Sequence, residues 1–131
     1  MSISIESFSS SEVYVLYEIG KKTFMESHGH CADAKDVQDY IDSHFNKSVI
    51  IKELENSDIY LRKILVKDQL AGYSKLILNS SNSITNLHPI AKFERLYLLK
   101  EFFGLGLGKK LLKHNIKIAK EHNQKGLWLF V

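Results

Sequence analysis

The stretch Phe93–Val131, FERLYLLKEFFGLGLGKKLLKHNIKIAKEHNQKGLWLFV, constrains the fold more than any other part of the chain. Leu96 to Leu99 reads as apolar throughout, the pattern of a strand covered on both faces. Gly104, Gly106 and Gly108 then alternate with Leu105 and Leu107 as the chain turns. Beyond them Gly108, Leu111, Leu112, Asn115, Ile116 and Ala119 recur at the spacing of one helical face. Lys109, Lys110, Lys113, Lys117 and Lys120 occupy the rest of that cylinder. Gly126 ends the connection, and Leu127–Val131 reads as a second apolar strand. Where a strand enters a helix through glycines, backbone N–H groups can face an anion with no side chain in the way. The unpaired amides and the positive end of the helix dipole both favour phosphate there.

Three readings compete for this loop. A tight β–α turn would use its glycines only to let helix and strand pack closely. A Rossmann site needs G-x-G-x-x-G after a first strand and an acidic residue about 20 positions on. Here the spacing is G-x-G-x-G, the loop comes late in the chain, and no acid ends the next strand. A Walker A loop needs Ser or Thr after its Lys, whereas Gly108-Lys109 is followed by Lys110.

The strand, glycine turn, helix and second strand together resemble the acetyl-CoA motif of the GNAT superfamily of N-acetyltransferases. That motif is a strand followed by (Gln/Arg)-x-x-Gly-x-(Gly/Ala) at a helix start. The resemblance implies that Leu96, Tyr97 and Leu98 lie on the strand whose backbone pairs with the pantetheine arm. Phe103 falls at the Gln/Arg position, and Gly104, Leu105, Gly106, Leu107, Gly108 and Lys109 on the pyrophosphate loop. Phe103 departs from the motif, since it has no side-chain donor. Because backbone amides do most of the holding, the loop is expected to remain competent.

At 131 residues the chain has room for one domain and one core, so residues 1–131 are read as a single domain. Its apolar runs are too short to span a bilayer, and MSISIESFSSSE has no signal-peptide pattern. A single cysteine, Cys31, rules out an internal disulfide and suits a reducing cytosol. His28, His30 and Cys31 are too cramped to hold one tetrahedral ion, and no metal is expected. The net charge of +3 hides a segregation. Residues 6–58 carry eleven acids against five lysines, and residues 100–125 carry seven lysines against Glu101 and Glu121. The basic half surrounds the candidate phosphate loop; the acidic half would line the acceptor side. Few arginines and no interleaved aromatics argue against nucleic acid.

In chain order, Ile3–Phe8 is a short strand, and Ser9 with Glu12 has capping-box spacing before a helix. Val13, Leu16, Tyr17, Gly20 and Phe24 form that helix's buried face. Asp33 caps a second helix, with Val37, Tyr40, Ile41, His44 and Phe45 inward and His44 a half-buried packing residue. A helical turn or two covers Ser48–Leu54. Asp58–Val66, a turn at Lys67-Asp68-Gln69, and Leu70–Leu78 form a hairpin, and Asn79–Pro89 is a loop. The order β-α-α-β-β-β-α-β is the first part of the GNAT fold, a mixed, mostly antiparallel α/β (α+β) architecture. The resemblance covers essentially the whole chain. Thr23–Glu26, the Asp33–Phe45 helix and Glu94–Lys100 look most like the PaiA-type branch, which is associated with acetylation of spermidine and spermine.

A primary amine of pKa near 10.4 is not a nucleophile until it loses a proton. By resemblance, the reaction is direct attack on the thioester, helped by a carboxylate base. Glu94, on the strand that would hold the thioester, is the candidate base; its structural alternative is a strand-edge carboxylate paired with Arg95 or a lysine. Glu26 is the candidate anchor for a cationic substrate, and the Leu98 N–H would polarise the thioester carbonyl. The GNAT fold continues past this second strand with another helix, carrying a Tyr that protonates the leaving thiolate, and a hairpin. The chain ends within the strand, so those elements are expected to be absent. The expected partner beyond the amine is a second copy, in a homodimer or swapped assembly through the C-terminal strand. The opposing reading is a catalytically incompetent remnant that binds CoA weakly or serves only association.

Overall fold

The computed structural model describes residues 2–29 and 33–129. Its sheet has five strands: β1 (Ile3–Ser7), β2 (Ile59–Val66), β3 (Gln69–Ile77), β4 (Ala91–Leu98) and β5 (Leu127–Trp128), neighbours in space as in sequence. Only the β4–β5 pairing is parallel. Helices α1 (Val13–His28), α2 (Ala34–His44) and α3 (Lys47–Glu55) connect β1 to β2, and α4 (Leu107–Glu121) crosses over from β4 to β5. The third helix is longer than the turn or two expected from Ser48–Leu54.

The starts of these elements follow local chemistry. The Ser9 N–H donates to Glu12 Oε1 at 2.9 Å, closing a 3-10 turn over Ser10–Glu12 that leads into α1. The Asp33 carboxylate accepts from the Lys35 N–H, and the Asn46 side-chain oxygen from the Val49 N–H, each at 3.0 Å. Between β2 and β3 both turn residues, Lys67 and Asp68, have positive φ, the geometry whose twist matches a two-residue hairpin.

Helix α4 covers one face of the sheet, with Leu107, Leu111 and Ile118 packed among Ile64, Val66, Leu76 and Phe93. Leu16, Ile19 and Ile50, from α1 and α3, pack the other face against Leu61 and Tyr73. The buried stripe of α4 is Leu107, Leu111, Asn115, Ile118 and Ala119, turned by about one residue from the expected stripe. Gly108, Leu112 and Ile116 flank it, half-buried. On α1 the buried face includes Ile19 and Thr23, while Val13 and Tyr17 reach the core only in part. On α2, Val37 and Ile41 are buried but Tyr40 and His44 are exposed, contrary to the expected inward face. Their rings stack on each other at 4.0 Å, and Tyr40 stacks on Phe24 at 4.5 Å. That aromatic column satisfies helical periodicity while lying along the open seam of α1 and α2.

Two departures concern β4. It begins at Ala91, five residues before the expected Leu96, and its tip is not covered on both faces: Leu96 is 38% exposed, and Tyr97 and Leu98 are half-buried. Strand β5 is two residues long and pairs with Ala91 and Lys92, the end of β4 remote from Leu96–Leu98. Leu129 lies outside the ladder and is 49% exposed; the strand expected to run on through Phe130 and Val131 leaves the described residues there.

Between these ends β4 carries a bulge. Lys75 pairs with Arg95 and Leu76 with Phe93, leaving Glu94 as the extra residue. The bulge reverses the strand. The Ala91 N–H donates to Gly126 O on the β5 side, whereas the Leu99 N–H donates to Ala71 O on the β3 side. Eight residues apart, the two would point the same way in a regular strand.

Candidate active site

Past the bulge, Leu99, Tyr97 and Arg95 turn their backbone polar groups toward β3, so those of Leu96 and Leu98 face the opposite edge. Since β5 pairs no farther along than Lys92, this edge has no strand against it among the described residues. It forms a slot whose wall offers alternating N–H and C=O groups, suited to an extended amide-bearing chain.

The slot leads to the glycine loop. Gly104 and Gly106 have φ of +82° and +74°, a left-handed backbone that glycine adopts at low cost. A Cβ at either would meet nothing within 4 Å. A Cβ at Gly108 would lie 3.8 Å from Leu96 Cδ2 and 3.9 Å from Leu98 Cδ1, ordinary contact. Close packing of helix on strand therefore explains none of the three glycines. Gly106 is the N-cap of α4 and supplies no side-chain cap; the first N–H donating back into the helix is that of Lys110, to Gly106 O at 3.2 Å. The amides of Leu107, Gly108 and Lys109 thus begin the helix without intrahelical acceptors and carry the positive end of its dipole. Lys109 and Lys110 are exposed beside them, as are Phe103 (59%) and Leu105 (40%), while Leu107 anchors the loop in the core.

On the other face of β4 lies an ionic cluster. The Lys75 ammonium pairs with Glu53 Oε2 and, at 2.8 Å, with Glu94 Oε1. Arg95 places Nη1 3.6 Å from Glu53 Oε2, and Lys92 lies 3.5 Å from Glu94 Oε2. Burial pushes the Glu94 carboxyl up, but the Lys75 hydrogen bond and the charges of Lys75, Arg95 and Lys92 outweigh it, holding Glu94 below its ordinary value. At neutral pH Glu94 is an ionised carboxylate already engaged by a cation. Sequence reasoning named its neighbour Arg95 but missed Lys75 and Glu53, which come from β3 and α3. Their signal was present: a charged residue in each of two otherwise apolar faces.

Glu26 meets a different part of the strand. Its Oε1 accepts the Lys100 N–H at 2.9 Å, tying the last turn of α1 to the 3-10 turn Lys100–Phe102 that follows β4. Glu94 and Glu26 are therefore not brought together; five residues of β4 and its exit, Arg95 to Leu99, separate Glu94 from the Lys100 amide that Glu26 holds. Between them, the Tyr97 ring faces α1, edge-on to His28 at 6.4 Å and 6.1 Å from Tyr73. No group of three His, Cys, Asp or Glu side chains among the described residues could hold a metal ion. His30 and Cys31 lie outside those residues. No helix among the described residues is long and apolar enough to cross a membrane.

A sheet opened at a β-bulge, with a glycine loop at the mouth of the opening and an uncapped helix start beyond it, defines an acyl-CoA-dependent transferase fold. Residues 13–131 match the Acetyltransferase (GNAT) family, and the chain belongs to it. An uncharacterized N-acetyltransferase in the pepI 3′ region of Lactobacillus delbrueckii subsp. lactis is 24% identical over 129 residues, which are 98% of this chain and 75% of the relative. Among solved structures, the PaiA N-acetyltransferase from Thermoplasma acidophilum, in complex with coenzyme A, superposes with a TM-score of 0.83 at 24% identity. The match covers 100% of this chain and 80% of that one. The aminoglycoside N-acetyltransferase AAC(6′)-Iy in complex with CoA superposes at 0.74 with 9% identity, over 99% of this chain and 77% of that one. These likenesses show the fold, and the family supplies the reaction class: N-acetyl transfer.

Proposed function

We propose that the chain transfers an acetyl group from acetyl-CoA to a small cationic amine, a polyamine being the leading candidate. The observation that carries the cofactor part is the open edge of β4 leading to the uncapped start of α4. Leu96 and Leu98 would pair with the pantetheine arm, with Tyr97 between them turned to the acceptor side. Phe103, Gly104, Leu105, Gly106, Leu107, Gly108 and Lys109 would hold the pyrophosphate, chiefly through backbone N–H groups. The amine part rests on the acidic composition of the N-terminal half and on the likeness to the PaiA structure.

Glu94 is the proposed base, and β4 geometry limits how it can act. Leu98 is four residues from Glu94, about 13 Å at the ~3.3 Å rise of a strand. The bulge shortens that run, and the Glu94 side chain and one bridging water each span part of it, so Glu94 would act on the amine through water. A thioester held at Leu96, about 7 Å along, would lie closer still. Polarisation by the Leu98 N–H and general-base action by Glu94 through a bridging water are therefore compatible. Glu26, occupied by the Lys100 amide, keeps its second oxygen for an ammonium group. The assembly we propose is a pair of copies meeting at the β5 side of the sheet, which sedimentation at micromolar concentration checks.

Calorimetric titration with acetyl-CoA, followed by acetylation assays over polyamines, aminoglycosides and simple alkylamines, tests the function. Saturable cofactor binding with turnover of polyamines supports it. Turnover confined to aminoglycosides would move the substrate assignment, and the absence of acetyl-CoA binding would overturn the whole reading.

A further inference from the structure

We infer that Lys75 and Glu53 are positioning residues of the cofactor slot: they pin the Glu94–Arg95 bulge, and thereby decide which amides of β4 face the cofactor. The inference rests on the acetyl-CoA reading for its consequence, though not for its geometry.

A bulge interrupts a ladder that a one-residue slip would make continuous, so something must hold it. Without it, Leu96 and Leu98 would turn their N–H groups to β3, and Arg95 and Tyr97 would present theirs to the slot. The side chains would exchange faces as well. As the chain stands, the bulge puts two consecutive residues, Glu94 and Arg95, on one face with Lys75, where a regular strand would send one to each face. Lys75 stands opposite, at the register break itself. Its ammonium joins Glu94 to Glu53, and Lys75 and Glu53 are each only 6% exposed. Arg95 closes the ring, with Nη1 on Glu53 and Nη2 4.0 Å from Glu94 Oε1. Lys92 and Tyr97 from β4 complete the charged and titratable surroundings of Glu94, and Tyr73 from β3 faces Arg95 and Glu53.

A slip would drive Glu94 or Arg95 toward the apolar α4 face and leave a buried charge of the ring without its partner. Such an outcome is strongly unfavourable. The ion ring therefore selects the bulged register, and the bulged register aims Leu96 and Leu98 at the slot. Glu53 sits on α3, so a helix on the acceptor side fixes the cofactor side of the sheet.

The test is the double variant Glu53→Leu, Lys75→Met, in the full chain. It removes the Lys75–Glu53 pair together, so neither is left facing a vacated partner, and the buried Arg95 guanidinium keeps Glu94 and the Tyr73 hydroxyl. Amide exchange along β4 is read first, without cofactor. The expected result is a reversal: Leu96 and Leu98 become protected while Arg95 and Tyr97 begin to exchange quickly. Acetyl-CoA affinity should then fall about tenfold or more although the thermal midpoint is kept, a split that a merely stabilising cluster would not give. An unchanged exchange pattern overturns the inference, whatever the affinity does. Should the double variant not fold, Glu94→Ala carries the same exchange test. That side chain is 28% exposed and its loss leaves the Lys75–Glu53 pair intact. A wild-type chain that fails to bind acetyl-CoA would remove the cofactor reading, while the exchange reversal would still decide for or against the pin.

Discussion

Gly108 differs from the other loop glycines in a way that separates folding from binding. Gly104 and Gly106 are held at positive φ, so any L-residue there is strained. Gly108 lies in the first turn of α4 with room for a side chain. Gly108→Asp should therefore stabilise the helix start by about 0.3–1 kcal/mol through the dipole and relief of glycine's entropy. It should also abolish acetyl-CoA binding by placing a carboxylate against the pyrophosphate. Denaturant unfolding and calorimetry on the same sample read the two opposite signs. Gly106→Asp should lose on both counts, since strain adds to repulsion. At Glu94, Gln substitution should lower turnover with acetyl-CoA affinity nearly intact, and the loss should shrink as pH rises toward the amine's own pKa. A pH-independent loss in a pH–rate series would leave Glu94 as a member of the ion ring alone.

Among the elements, α4 shows most clearly what periodicity carried and what it did not. Its length, its lysine-covered face and its place between two strands were legible, because a 3.6-residue apolar repeat and flanking glycines are local signals. The rotation of the stripe by one residue was not. It depends on Asn115, whose Nδ2 donates to Ser74 Oγ at 2.9 Å and Leu111 O at 2.8 Å, fixing the helix against β3 through a contact 41 residues away in sequence. Asn115→Ala should cost about 2 kcal/mol, since Ser74 is left buried without its donor, and chemical denaturation measures this. The bulge in β4 was invisible for the same reason. Phe93-Glu94-Arg95-Leu96 carries no local mark of an extra residue, and the partners that hold it, Lys75 and Glu53, are 19 and 41 residues away. The turn at Gly104 and Gly106 into a helix, by contrast, was legible because both its causes, backbone freedom and helix initiation, are local, although α4 begins at Leu107, inside the stretch Gly104–Lys109 read as loop.

For the whole molecule, two ion pairs set how stability depends on acid. The Lys63 hydrogen bond holds the Glu12 carboxyl below its ordinary range. At Glu94, burial pushes upward but Lys75 and its neighbouring cations prevail. Carboxyls depressed in the folded state bind protons less readily than in the unfolded one. They stabilise the fold above the ordinary carboxylate range, and that contribution is lost as pH falls through and below it. Thermal midpoints should therefore drop on acidification below that range, and Glu12→Gln with Glu94→Gln should flatten the decline. The proposed activity requires that acetyl-CoA lie along the β4 edge exposed by the bulge and end at the start of α4. Amide chemical-shift mapping during an acetyl-CoA titration tests that claim most directly. The expected result is large shifts for Leu96, Leu98, Leu107, Gly108 and Lys109, with Arg95 and Tyr97, whose amides are committed to β3, moving little. Saturable binding that shifted Arg95 and Tyr97 instead, or left the α4 amides unmoved, would contradict it.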